Sequence, residues 1–299
     1  MKTYEKEGNR QRAVLHSYHG KPHPRDLKGA LEKTDIDGLP KKLREVVCIG
    51  EDARYTIGFE VEKNSFGRAA VKEYPLFCGF ERDGSCGVEA VTNILPLLPP
   101  SKWRMKVFNM MHEASRVLED TYSPSDERCG GHINVAVEGL TSKELLVRMR
   151  PYAGIILAMW PKRLRNTYCS SDPTLRGNDD SGGDTWLGGW HSKYRVALPK
   201  GFGVVEWRIP NRVSGVAQLM GRYELFYEVI DSAVNGDGSL RSYGAMLHRL
   251  RPLLVRLYDG DTDKVAAVVA LSHKFRKFII AAPTQWDDVD PELVGFLRG

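Results

Sequence analysis

The nine residues "YTIGFEVEK" (55–63) decide how the rest of the chain is read. Side chains on a strand point alternately to its two faces. Tyr55, Ile57, Phe59 and Val61 therefore share one face, and Thr56, Gly58, Glu60 and Glu62 share the other. The first set predicts a core strand. The second places two carboxylates roughly 7 Å apart along the backbone, next to a glycine that gives a ligand room over the main chain.

Two other stretches repeat this division. In "CGGHINVAV" (129–137), Ile133, Val135 and Val137 alternate with His132, Asn134 and Ala136. In "GVVEWRIP" (203–210), Val205, Trp207 and Ile209 alternate with Val204, Glu206 and Arg208. A fourth stretch, "FERDGSCGVEAV" (80–91), adds Asp83, Ser85 and Glu89 around a glycine turn, with Glu81 in an open register. A solvated sheet face mixes Lys, Thr, Ser and Gln with its acids. These faces instead carry Glu, His, Asn and Arg with almost no Lys. Clustered carboxylates repel by several kcal/mol (about 4 kcal/mol at 4 Å and an effective dielectric of about 20), and bound divalent cations are the usual remedy. Oxygen donors with one His suit a hard ion, Mg²⁺ or Mn²⁺. Arg208 beside such ions calls for an anion that fits its fork, and a nucleotide phosphate does. The chemistry expected is phosphoryl transfer from ATP.

The whole chain frames these motifs as one globular protein. It has 299 residues, 42% hydrophobic and 27% charged, enough for a sizeable core. No apolar run approaches the ~20 residues that span a bilayer, and the first twenty residues lack the apolar segment of a secretion signal. Cys48, Cys78, Cys86, Cys129 and Cys169 form no metal-like spacing, so reduced thiols in a cytoplasmic setting are expected. No Cys–His spacing supports a nucleophile at Cys129 or Cys169, and packing is the simpler role.

The net charge is +5, and residues 1–50 hold 11 basic against 7 acidic residues, so most of the surplus lies there. That segment reads as a basic extension of loops without sustained periodicity, a candidate contact for nucleic acid. Residues 51–235 read as the catalytic core and 236–299 as a helical C-terminal subdomain. Strands are predicted over 55–63, 69–74, 77–82, 131–137, 193–198 and 203–209. A helix capped by Ser101 is predicted to run to about Tyr122. A second starts with the capping box Thr141–Glu144 and is kinked at Pro151, with Leu145, Met149, Tyr152, Ile156 and Trp160 on one face. Further helices are predicted over 214–234, 239–258 and 264–280. The glycine-rich segment 176–190 is a candidate lid.

Taken in order, "GFEVEK", "ERDGSCGVEAV", "CGGHINVAV" and "VVEWRIP" resemble the motifs of the glutamine synthetase and glutamate–cysteine ligase superfamily, most closely its amidoligase branch. "RLRNTYC" (163–169) and "WHSKYRVAL" (190–198) look like the intervening arginine and His/Tyr segments of that family. The resemblance covers roughly residues 55–235 and rests on the four motifs together. It implies an α+β fold, with a curved, mainly antiparallel sheet around the site and helices on its outer face. It implies ATP-dependent joining of a carboxylate to an amine through an acyl phosphate. The acid and amine stay open among amino acids, polyamines, peptides and modified nucleic acid. Carried over position by position, Glu60, Glu62, Glu89, His132 and Glu206 look like metal ligands, with Glu60 and Glu206 catalytic through the metal. Arg208 looks like the catalytic, phosphate-binding arginine. Asn134, Arg163, Arg165 and His191 look like nucleotide or substrate contacts. The family often has a second histidine where this chain has Asn134, which can hydrogen-bond but carries no charge. Two other readings compete: a metal-dependent phosphoryl-transfer or hydrolytic enzyme acting on nucleotide or nucleic acid, and a non-catalytic module on the same fold.

Overall fold

The computed structural model describes residues 53–64, 74–81, 86–119, 128–166, 168–169, 195–200, 203–283 and 285–298, and, by backbone alone, 80–81 and the strands within 4–15 and 44–46. It is an α+β protein with antiparallel sheet and helical C-terminal segments. The chain divides into two compact units. One holds Met1–Ser142, Lys200–Val204 and Arg212–Met220, and the other Lys143–Pro199, Val205–Asn211 and Gly221–Gly299.

In the first unit, β1 (Tyr4–Glu7) runs antiparallel to β2 (Arg10–Leu15), which is parallel to β3 (Arg44–Val46). These strands fall in the segment read from sequence as loops. Next comes β4 (Tyr55–Lys63), which has the predicted bounds and is buried along its whole length. It is followed by β5 (Phe77–Glu81), β6 (Val88–Thr92), β7 (Leu95–Pro96) and β8 (Ile133–Val137). The antiparallel order is β5-β6-β4-β8, with β7 also on β4. The apolar face of β4 is core as predicted: Ile57, Phe59 and Val61 are at most 1% exposed.

Along β4, the pairing of Val61 with Ala90 and of Ile57 with Leu95 leaves one extra residue on the β6–β7 side. This is a bulge between two pieces of one edge. Asn93 pins it, its N–H donating to Leu76 O (2.9 Å) and its Nδ2 to Pro75 O (2.8 Å). The Phe59 N–H donates to Thr92 Oγ1 (2.8 Å).

Helix α1 (Lys102–Glu113) starts as predicted, with Ser101 Oγ accepting from the Arg104 N–H at 3.1 Å. It ends earlier than predicted. Ala114 leaves helical geometry (ψ 9°), and a single further turn, α2 (Ser115–Leu118), follows. The buried Lys63 donates its Nζ to Leu118 O at 2.8 Å, a cation at the carbonyl end of that turn.

In the second unit, α3 (Ser142–Met149) passes through a 3₁₀ turn at Arg150–Tyr152 into α4 (Gly154–Met159). Pro151 lacks the N–H that would continue the helix, so the predicted kink takes this form. Leu145, Met149, Tyr152 and Ile156 are all buried, as the helical period requires. A 3₁₀ turn at Pro161–Arg165 follows, and then β9 (Ala197–Pro199) pairs antiparallel with β10 (Val204–Trp207). The remaining elements are α5 (Val216–Asn235), α6 (Leu240–Leu257), α7 (Thr262–Ala281) and α8 (Pro291–Leu297). Tyr152 Oη hydrogen-bonds Ser242 Oγ (2.7 Å) and accepts from the Gly238 N–H (2.9 Å). Arg276 donates to Pro151 O and Gly238 O, tying the kink to the helical C-terminal part. The predicted strand at 69–74, apart from Tyr74, and the glycine-rich segment 176–190 lie outside the described residues, as does His191. No helix among the described residues is long and apolar enough to cross a membrane.

Candidate metal centre

Strand register builds the site in the first unit. Glu62 on β4 lies directly opposite Glu89 on β6. On the other edge of β4, Gly58 is opposite Asn134, and the Glu60 N–H donates to His132 O at 3.0 Å, which extends that ladder by one pair. Directly opposed residues share a face. Glu89, Glu62, Glu60, His132 and Asn134 therefore form one continuous polar face across three strands, the face expected from the alternation. All five are buried, none more than 5% exposed.

The contacts within the face are short. His132 Nδ1 lies 2.6 Å from Glu60 Oε2, and its Nε2 lies 3.3 Å from Glu62 Oε1. Both ring nitrogens thus lie within hydrogen-bonding reach of carboxylates. Asn134 Nδ2 donates to Glu60 Oε1 at 2.6 Å, and the Gly130 N–H donates to Glu62 Oε2 at 2.5 Å. The glycine pair before His132 is what lets the backbone approach a buried carboxylate.

One oxygen from each of Glu60, Glu62 and Glu89 lies within 4.8 Å of the other two. Like charges about 5 Å apart repel by about 3 kcal/mol at an effective dielectric of about 20. Three buried carboxylates therefore call for positive charge. The donors are carboxylate oxygens and one imidazole, with no thiolate among the side chains of this face. That set fits Mg²⁺ or Mn²⁺ better than a soft ion.

The remaining predicted residues lie in the second unit. Glu206 is 1% exposed, and its Oε1 accepts from Arg208 Nη1 at 3.0 Å. Arg208 Nε also donates to Tyr168 O at 3.3 Å, and its backbone N–H to Val196 O at 2.9 Å. These bonds fix the direction of the Arg208 fork. Trp207, between the two, is core as predicted and meets Phe226 edge-on at 6.0 Å. Arg163 is half-buried in the 3₁₀ turn and Arg165 is exposed. Cys169 Sγ donates to Arg163 O, and Cys129 Sγ to Asn64 Oδ1, both as packing contacts.

Sequence reasoning passed over Arg222. It is buried on α5, donates to Asn211 Oδ1 at 2.7 Å and lies 5.5 Å over the Trp160 ring. The signal was present: Arg222 occupies an apolar position of the helical period with Leu219, Tyr223 and Phe226. Burial, and next the charge of Arg163, pushes its guanidinium down to about 9. Below about pH 9 it is charged in both folded and unfolded states, so the full cost of burying it is present. The cost is relieved as pH rises from about 9 toward the unfolded value. Arg222→Met is accordingly expected to unfold at equal or higher urea concentration at pH 7, with a gain of about 1 kcal/mol or more. That advantage should shrink above pH 9. Clear destabilisation at pH 7 would show that the contacts of Arg222 outweigh its desolvation.

No family model matches the chain, and no curated protein matches it in sequence.

Proposed function

We propose that the protein is an ATP-dependent carboxylate–amine ligase. The observation that carries this reading is the row Glu89–Glu62–Glu60–His132, buried donors suited to a divalent cation on one sheet face. The resemblance of the four motifs to the amidoligase branch supports it. In this reading a carboxylate oxygen of the acid substrate takes the γ-phosphoryl of ATP and ADP leaves. The amine then attacks the acyl carbon, phosphate leaves, and an amide or isopeptide bond remains. Divalent metal, when bound, supplies charge neutralisation for the phosphates. Glu60, Glu62, Glu89 and His132 would hold it.

The roles of the chain's own groups follow from their contacts. Arg208, braced by Glu206 and Tyr168 O, would present a fixed fork to a phosphate oxygen. Arg163, Arg165 and His191 would contact substrate or nucleotide. Calorimetry with ATP in the presence of Mg²⁺ or Mn²⁺ tests the reading, with saturable binding expected. Arg208→Ala should abolish metal-dependent phosphate release, and Glu206→Gln should do the same, both with the fold intact by circular dichroism. Absence of nucleotide binding by the metal-loaded protein removes the ligase reading. Metal-dependent cleavage of nucleic acid would put a hydrolase in its place.

A further inference from the structure

Asn134 sits in the middle of β8 and is 1% exposed. Its Nδ2 donates to Glu60 Oε1 at 2.6 Å. A carboxylate accepts, so this bond settles which end of the amide faces Glu60. The carbonyl end, Oδ1, is buried and accepts no hydrogen bond among the described residues. A buried carbonyl in that state is costly and is commonly the mark of a missing bound donor.

The surroundings say what kind of donor. Directly across β4 from Asn134 is Gly58, which has no side chain. The next position on that face of β8 is Ala136, paired with Thr56. The neighbours on that side are therefore small. On the other side of Asn134 stand Glu60 and His132, followed by Glu62 and Glu89. A group at Oδ1 must donate a hydrogen bond and fit over a small-residue floor, and positive charge favours it there. An ionised phosphate oxygen is negative and donates no hydrogen bond, so it fails two of these conditions. An ammonium meets all three.

We infer that Asn134 Oδ1, over the floor of Gly58 and Ala136, binds an ammonium or primary amine. This assigns Asn134 to the amine rather than to the nucleotide. Identifying that amine as the nucleophile rests on the ligase reading, but the binding itself does not.

The test is thermal unfolding of the full, metal-free chain without ATP. Ammonium, methylammonium, potassium and tetramethylammonium chlorides are compared at equal ionic strength. Ammonium and methylammonium are expected to raise the melting temperature in a saturable way, at concentrations at least tenfold below any effect of potassium. Tetramethylammonium, which has no N–H, should give no saturable shift. Asn134→Leu should lose the ammonium shift, and Asn134→Asp, which keeps an acceptor, should retain it. Gly58→Ala should also lose the shift while the Asn134–Glu60 bond stays in place, and it serves if Asn134→Leu does not fold. Equal shifts from ammonium and potassium would mean a plain monovalent-cation site and overturn the inference. So would an ammonium shift that survives Asn134→Leu or Gly58→Ala. Failure here leaves nucleotide binding untouched, and failure of nucleotide binding leaves this result standing.

Discussion

Glu89→Gln is expected to stabilise the metal-free protein and, by the same change, to remove its divalent-cation binding. Glu89 stands directly opposite Glu62, and its carboxylate shares a buried cluster with Glu62 and Glu60. Removing one of three like charges relieves repulsion of about 3 kcal/mol per close pair, and part of that gain is lost with the carboxylate's own hydrogen bonds. A net gain of about 1–3 kcal/mol is expected in urea denaturation with a chelator present. Glu62 is the less telling position to change, because its Oε2 holds the Gly130 N–H at 2.5 Å and its loss would also unfasten the backbone. Outer-shell changes at metal sites already cost about 10–100-fold in affinity. Loss of a direct ligand should therefore weaken Mn²⁺ binding by about 100-fold or more in calorimetry. A metal-free variant less stable than the parent would show that Glu89 is a structural acceptor rather than a ligand in waiting.

The other large effect lies away from any candidate chemistry. A side chain on Gly154 would place its Cβ 2.4 Å from Ser272 O and 2.8 Å from Arg276 N, both backbone atoms of α7. No rotamer change relieves a clash with backbone, so α4 and α7 must separate. Gly154→Ala should therefore destabilise by about 3 kcal/mol, the upper end of ordinary overpacking. A melting temperature lower by about 6–12 °C is expected. A change smaller than about 1 kcal/mol would mean that the two helices slide past each other freely.

The parts of this molecule legible in the sequence are those decided locally. Strand β4 has the predicted bounds because an unbroken alternation runs from Tyr55 to Glu62, eight of its nine residues. Ser101 and Pro151 act through the backbone of their own segments and were readable for that reason. Pairing was not readable. "VEAVT" alternates only over Val88–Ala90 before Val91 breaks the pattern, and nothing within it says that Glu89 will oppose Glu62 or that Glu81 will oppose Glu89. That information lies in a register between distant strands. The pairing of β2 with β3 joins residues about thirty apart in a segment whose composition reads as loop. Arg222 was missed because a cation at an apolar helical position was taken as part of the helix and given no separate meaning. The polar face itself was found, yet its internal bonds depend on packing. Alternation shows that Glu60 and His132 share a face, whereas only the fold shows His132 held between two carboxylates.

The extra residue between β6 and β7 gives this edge a reserve of length that its charge does not depend on. Between the pairs Glu60–Val91 and Ile57–Leu95, β4 has two residues and the opposite edge has three, with Asn93 anchored to Leu76 and Pro75. Deleting one of those three, with β7 kept in place, would close the bulge into regular pairing and leave Glu89 opposite Glu62. In descendants of this sequence, a one-codon gap at this hinge would therefore spare the cation face, whereas a single glutamate substitution on it would not.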